Sequence, residues 1–174
     1  MEQFKYFPSH IANFFLWLSK KDKSVKGITN MQLIKLTYFA YAWYYALYKT
    51  KLFHESPEAW DYGPVIPSIY HEFKRFGKNP IDTFAVEELS QSGNEIYHPI
   101  INEDDDKAIS VINAVWDAYK DENGDNLSNI THRPNSPWKN VYERGRNNRL
   151  RIEDIERVAL EAIKKYKTLK EKAK

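Results

Sequence analysis

ITNMQLIKLTYFAYAWYYALYK, residues 28–49, is the segment that best predicts the architecture of this chain. It contains no Pro and no Gly, and its apolar or aromatic side chains fall on almost every face of a helical wheel. A helix with this pattern is surrounded by other elements. Thr29 and Gln32 have the spacing of a capping box, and Ile28 and Leu33 have the spacing of a hydrophobic staple. We therefore expect a buried central helix whose N-cap is Thr29.

A proline-rich aromatic segment follows, LFHESPEAWDYGPVIPSIYHEFKRFG, residues 52–77. Its prolines exclude one continuous helix, so we expect residues 52–66 to form an aromatic turn. Within it, residues 56–58 can open a single turn of helix. A second helix is expected to begin at Pro67, where a missing N–H costs least, and to end before Gly77.

Apolar residues at helical spacing predict further helices elsewhere in the chain. These helices cover residues 10–20, 102–120, 127–131, 136–145 and 152 onward. Ser9 and Asn102 are the expected N-caps of the first two. Two short segments flank residues 92–94, Ser-Gly-Asn, which favours a hairpin turn. We expect a mostly α-helical single domain, residues 1–174, around the central helix, with room for one small β-hairpin and a basic, fraying tail from about residue 167.

Composition narrows the class of protein. The 174 residues suit one domain, and 26 basic against 24 acidic side chains leave a formal charge of only +2. There is no cysteine, no secretory leader and no apolar run of about 18 residues, so we expect a cytoplasmic protein without a membrane span. Core packing explains the central tyrosines and solvation explains the C-terminal lysines, so we do not expect nucleic-acid binding.

Four blocks of sequence resemble the SocA-like antitoxin family, whose module is called the Panacea domain. The blocks are KLTYFAYAW (residues 35–43), LFHE (52–55), EAWDYGPVIPSIY (58–70) and NITHRPNSPW (129–138). They stand in the right order and extend over most of the chain, so the resemblance is specific. It implies an antitoxin of a bacterial or phage toxin–antitoxin pair, which binds and neutralises a toxin encoded by a neighbouring gene.

The family's motif positions carry over to this chain residue by residue. They are Lys35, Leu36, Tyr38 and Phe39, then Trp60, Tyr62, Gly63, Pro64 and Val65, then Thr131, His132, Pro137 and Trp138. All of these except Leu36, Phe39 and Pro137 are our candidate partner-binding or motif residues. Shared positions can define the fold while variable surface positions select the toxin, and residues 74–78 and 121–126 are candidates for that selection. We expect the Trp60 side chain to pack in the fold and the Tyr62 side chain to be exposed and to contact a partner.

Catalytic and metal motifs are incomplete. His71 and Glu72 begin like a zinc-protease helix, but Arg75 stands where the second His is required. Residues 121–126, DENGDN, resemble a calcium loop, but Asn126 stands where the Gly is required and His132 stands where the final Glu is required. We expect no metal, no cofactor and no enzymatic activity.

Two alternatives to a binding antitoxin remain at this point. The first is a proteolytic adaptor that delivers a toxin to a AAA+ protease, a mode associated with the SocA branch of the family. The second is a hydrolase centred on His132, because a His beside the Thr131 hydroxyl can act as a general base. We favour a structural role for this Thr-His pair, in which its side chains hold a loop through hydrogen bonds to backbone.

Overall fold

The computed structural model describes residues 5–88 and 96–173. Within these residues the chain forms seven α-helices, a short 3-10 helix at Lys74–Phe76 and two small antiparallel sheets. The helices are α1 (Pro8–Lys21), α2 (Asn30–Tyr48), α3 (Pro67–Phe73), α4 (Asp106–Tyr119), α5 (Gly124–Thr131), α6 (Pro137–Val141) and α7 (Ile152–Lys172). The strands are β1 (Glu58–Trp60), β2 (Gly63–Val65), β3 (Glu87–Glu88), β4 (Ile96–Tyr97) and β5 (Asn148–Arg149). The predicted mostly α-helical class is confirmed.

Helix α2 lies at the centre, as predicted. It packs against α1, α3, α4, α5, α7 and strand β2. The capping box is present, because the Gln32 backbone N–H donates to Thr29 Oγ1 at 3.4 Å and the Thr29 N–H donates to Gln32 Oε1 at 2.9 Å. The side chains from Leu33 to Trp43 are all buried, which explains why this helix shows no single apolar face.

The predicted cap of α1 is wrong. The helix begins at Pro8 with Phe7 as N-cap, so Ser9 already lies inside the first turn. Proline suits that first position because its missing N–H would have no partner inside the helix. The Ser9 hydroxyl donates instead to Glu87 Oε1 at 2.8 Å and ties α1 to β3.

The predicted cap of α4 is also wrong, because Asp105 and not Asn102 is its N-cap. Asp105 Oδ1 accepts from the Ala108 N–H at 3.2 Å, while Oδ2 accepts from the Tyr6 hydroxyl at 2.9 Å and from Lys5 Nζ at 2.7 Å. These partners hold the Asp105 side chain in the core. Asn102 forms a turn ahead of the helix, where its backbone carbonyl accepts from the Asp105 N–H.

The aromatic turn contains a sheet that the sequence did not predict. Residues 56–58 do not open a helix, because Glu58 begins β1, which pairs with β2 as a tight antiparallel hairpin. Strand β5 pairs with the other side of β1, and the strand order is β2-β1-β5. Proline at position 64 is tolerated because β2 is an edge strand. This sheet brings residue 149 beside residue 58.

The remaining predicted elements agree with the structure apart from their ends. Glu87 pairs with Tyr97, which confirms a small hairpin, while its predicted turn at residues 92–94 lies outside the described residues. Helix α5 begins at Gly124, so half of the predicted 121–126 loop is helical. Helix α7 continues to Lys172. Among the described residues, no helix has the length and apolar character to cross a membrane.

Candidate functional site

Three separated parts of the sequence meet at the β1–β2 hairpin. Helix α2 lies beneath it, and helices α5 and α6 lie beside it. Each part contributes candidate residues that the sequence had singled out, and most of their contacts are made with the hairpin backbone. The hairpin is therefore the feature around which the site is built.

Lys35 connects the hairpin to the central helix. Its side chain is fully buried, and Nζ donates to the Pro64 carbonyl oxygen at 3.0 Å. Burial lowers the pKa of Lys35 to about 7, because apolar surroundings disfavour the charged form. A lysine in this position supplies a donor to an edge carbonyl without carrying a full charge at neutral pH.

Gly63 allows the hairpin to approach both α2 and α5. Its φ angle of +101° lies where side chains are disfavoured. A Cβ atom at this position would lie 2.5 Å from Thr131 Oγ1 and 2.8 Å from Lys35 Nζ. The Gly at this position is thus required by both its backbone conformation and its close packing.

Helix α5 holds the hairpin turn through backbone carbonyls. The Ser128 hydroxyl donates to the Tyr62 carbonyl oxygen at 2.8 Å, and the Thr131 hydroxyl donates to the Ser128 carbonyl oxygen at 2.7 Å. His132 Nδ1 lies 2.6 Å from the Ser128 carbonyl oxygen, and Nε2 lies 3.3 Å from that of Asp61. Both ring nitrogens face carbonyl oxygens, and the Ser128 hydroxyl, 3.5 Å from Nδ1, is committed as a donor to the Tyr62 carbonyl oxygen. The arrangement therefore favours a structural role for His132.

Helix α6 supports the same turn from its other side. Trp138 Nε1 donates to the Trp60 carbonyl oxygen at 2.7 Å. The Trp138 ring contacts the His132 ring at 3.8 Å and stacks on the Tyr142 ring at 4.3 Å between centroids. The Tyr142 hydroxyl donates to Asp61 Oδ1 at 2.9 Å. The backbone of the turn is therefore held at Tyr62 by Ser128 and at Trp60 by Trp138.

Burial separates the candidate residues into two groups. Those that are buried are Lys35, Tyr38, Gly63, Pro64, Val65, Thr131 and Trp138. Trp60 and His132 are half-buried, whereas Tyr62 exposes 70% of its surface at the tip of the turn. Tyr38 packs against Phe39 on the same helix, at 5.5 Å between ring centroids, and burial raises its pKa above the usual value. Most of the site therefore positions a single exposed aromatic side chain.

A groove of about 710 Å³ opens beside the site, between α7 and the segment from α4 to α6. Its aromatic lining includes Tyr38, Phe39, Trp43, Tyr119 and Tyr166. Phe39 and Tyr119 stack at 4.4 Å between centroids, and burial raises the pKa of Tyr119 to about 12. The groove shares Thr131 and Pro137 with the surroundings of the hairpin.

Among the described residues, no group of three or more His, Cys, Asp or Glu side chains is placed to hold a metal ion.

The model of the family described as "Antitoxin SocA-like, Panacea domain" matches residues 33–139, which is more than half of the chain. The chain belongs to this family. No match was found among curated proteins or among solved structures.

Two contacts of this Panacea domain come from residues that sequence reasoning missed. Ser128 precedes Thr131 by three positions and His132 by four, so all three lie on one face of the helix. This spacing was the sequence signal that could have identified Ser128. Tyr142 lies four positions after Trp138 and stacks on it for the same reason. The proposed toxin-selecting segments contain exposed residues, among them Lys74, Lys78 and Asp121, but their role stays a prediction.

Proposed function

We propose that this Panacea-family chain is an antitoxin that neutralises a protein toxin by direct binding in the cytoplasm. Membership of an antitoxin family is the observation that carries the proposal. The geometry supports it, because the motif residues fix the backbone of a hairpin and leave Tyr62 exposed at its tip. A rigid aromatic side chain with a polar end is a favourable anchor for a protein interface.

The binding surface in this proposal is the tip of the hairpin and its immediate neighbours. Tyr62, Asp61 and Tyr142 are at least partly accessible there. A stable complex buries about 800 Å² on each partner, so the toxin must cover more than this tip. Binding of this kind requires no catalytic group from the antitoxin.

Co-expression tests the proposal. The product of the neighbouring reading frame is expressed alone and together with this chain in growing bacteria. We expect growth arrest by the neighbour alone, relief of arrest by co-expression, and a complex that co-purifies with an undiminished amount of toxin. Depletion of the toxin only in strains that possess the relevant AAA+ protease would instead identify a proteolytic adaptor and overturn neutralisation by binding.

A further inference from the structure

The chain has an unusual distribution of arginine. Six of its seven arginines lie in residues 133–157, whereas its other cationic residues are lysines spread along the chain. Residues 139–151 contain five cations and one acid, Glu143, which gives this short segment a formal charge of +4 compared with +2 for the whole chain. The small net charge of the whole chain therefore gives no sign of this local excess of positive charge.

We name the exposed side chains in this region the arginine face. Its members are Arg144, Arg146, Arg149 and Arg151, and all of them are exposed. Arg146 pairs with Glu143. Within residues 5–88 and 96–173, the other three form no ion pair. Most of the charge on this face is therefore available to a partner.

The fold places this face next to the hairpin. Arg149 lies on β5, at the edge of the sheet that contains the hairpin, and Arg144 follows Tyr142 by two residues. The Tyr142 hydroxyl contacts Asp61 in the turn, immediately before Tyr62. The segment is held in place, because the Asn148 amide donates to the Val141 carbonyl oxygen at 2.8 Å. Tyr62 and the arginine face can thus be covered together.

We propose that the arginine face extends the surface that binds the toxin, and that it is recognised by an acidic patch, rich in Asp and Glu, on the toxin. This inference rests on the function proposed above. Arginine forms bidentate hydrogen bonds with carboxylates, is less strongly hydrated than lysine and is enriched in interface hot spots. One charged side chain on β5 would suffice to keep this edge strand from pairing with another chain. Protection of the edge therefore does not explain the arginines on either side of β5.

A protein surface fits these arginines better than a nucleic acid. Glu58 lies opposite Arg149 in the sheet and Glu143 pairs with Arg146, so these two acids lie among the cations and would repel the closely spaced phosphates of a nucleic-acid backbone. Carboxylates on a folded protein have individual positions and can avoid these two acids. The mixture of Arg, Tyr and a few acids is consequently suited to an acidic polypeptide surface.

The test compares two variants that lose equal charge. The first is R144Q/R149Q/R151Q, which leaves the ion-paired Arg146 intact, and the second is the control K164Q/K167Q/K172Q on the exposed side of α7. Association and dissociation rates are measured with the full chain and the purified toxin whose growth arrest it relieves. We expect Kd to rise at least about 10-fold for the arginine variant, chiefly through faster dissociation, and less than about 3-fold for the lysine variant.

The outcomes separate this inference from the proposed function. If the wild-type chain neither binds nor neutralises the toxin, the proposed function and this inference both fail. If the wild type binds but the two variants weaken binding equally, the arginine face is not part of the interface, although the antitoxin function stands. If nuclease treatment abolishes association, a nucleic acid bridges the partners and the assignment of an acidic protein surface is overturned.

Discussion

Lys35 Nζ and the Pro64 carbonyl oxygen lie 3.0 Å apart, joined by a hydrogen bond in a part of the core where the lysine has no exposed surface. This bond links the central helix to the edge strand of the hairpin. The pKa of Lys35 is lowered to about 7 by burial alone, so its protonation is coupled to folding.

The stability of the protein is expected to rise with pH between about 7 and 9. In this range the unfolded chain holds a proton on Lys35, whose ordinary pKa is 10.5, while the folded chain has released it. One proton contributes about 1.4 kcal/mol per pH unit to the free energy of unfolding. Urea unfolding of the wild type and Lys35→Met at pH 7.5, 8.0 and 8.5 measures the effect, and the variant should show a shallower slope. Equal slopes would show that Lys35 titrates normally in the folded protein.

The raised pKa values of the buried tyrosines oppose this trend at higher pH. Burial raises the pKa of Tyr41 and of Tyr119 to about 12. Above about pH 10 the folded chain therefore binds more protons than the unfolded chain, and stability falls as the pH rises further. For this reason the Lys35 experiment is confined to pH values below this range.

Gly63→Ala is expected to destabilise the protein by about 2–4 kcal/mol. The new Cβ would be forced to within 2.5 Å of Thr131 Oγ1 at a φ angle of +101°. Gly145→Ala is the control, because Gly145 also has a positive φ, of +76°, but its Cβ would meet no atom within 4 Å. We expect this control to cost about 1 kcal/mol. Urea unfolding compares the two, and similar losses would mean that backbone strain, not packing around Lys35, is decisive.

His132→Ala is expected to cost about 1–2 kcal/mol of stability and to leave toxin neutralisation intact below the melting temperature of the variant. The substitution removes the contact of Nδ1 with the Ser128 carbonyl oxygen and the ring contact with Trp138. His71→Ala, on the exposed side of α3, is the control. Thermal unfolding and the co-expression assay measure both properties. A folded His132→Ala protein that still bound the toxin but gave no protection, beside a protective His71→Ala protein, would support the hydrolase alternative.

Tyr62→Ala is expected to weaken toxin binding at least about 10-fold while changing stability by less than about 0.5 kcal/mol. Tyr62 exposes 70% of its surface, so its removal disturbs little of the folded chain. Ile100→Ala is a matched control, since Ile100 is 71% exposed and lies outside the hairpin. Titration calorimetry with the purified toxin provides the measurement. An unchanged Kd for Tyr62→Ala would show that the toxin does not contact the hairpin tip.

The central helix could be read from the sequence because its determinants are local. Thr29 and Gln32 are three residues apart, and the apolar character of residues 33–43 requires burial whatever the partner elements are. The helices beginning at Pro67 and Ile152 follow from similarly local signals. The caps of α1 and α4 were mistaken because Pro8 and the partners of Asp105 outweighed the intrinsic preferences of Ser9 and Asn102.

The amino-acid pattern alone predicts a helical protein with a buried centre and, through the Panacea resemblance, indicates most residues of the candidate site. That these residues surround a β-hairpin is visible only in the folded chain. Strands of two or three residues have too few positions to show an alternating pattern, and the pairing of Glu58 with Arg149 joins distant parts of the chain. The burial of Lys35 beneath Pro64 was decided in the same way, since it depends on the close approach that Gly63 permits.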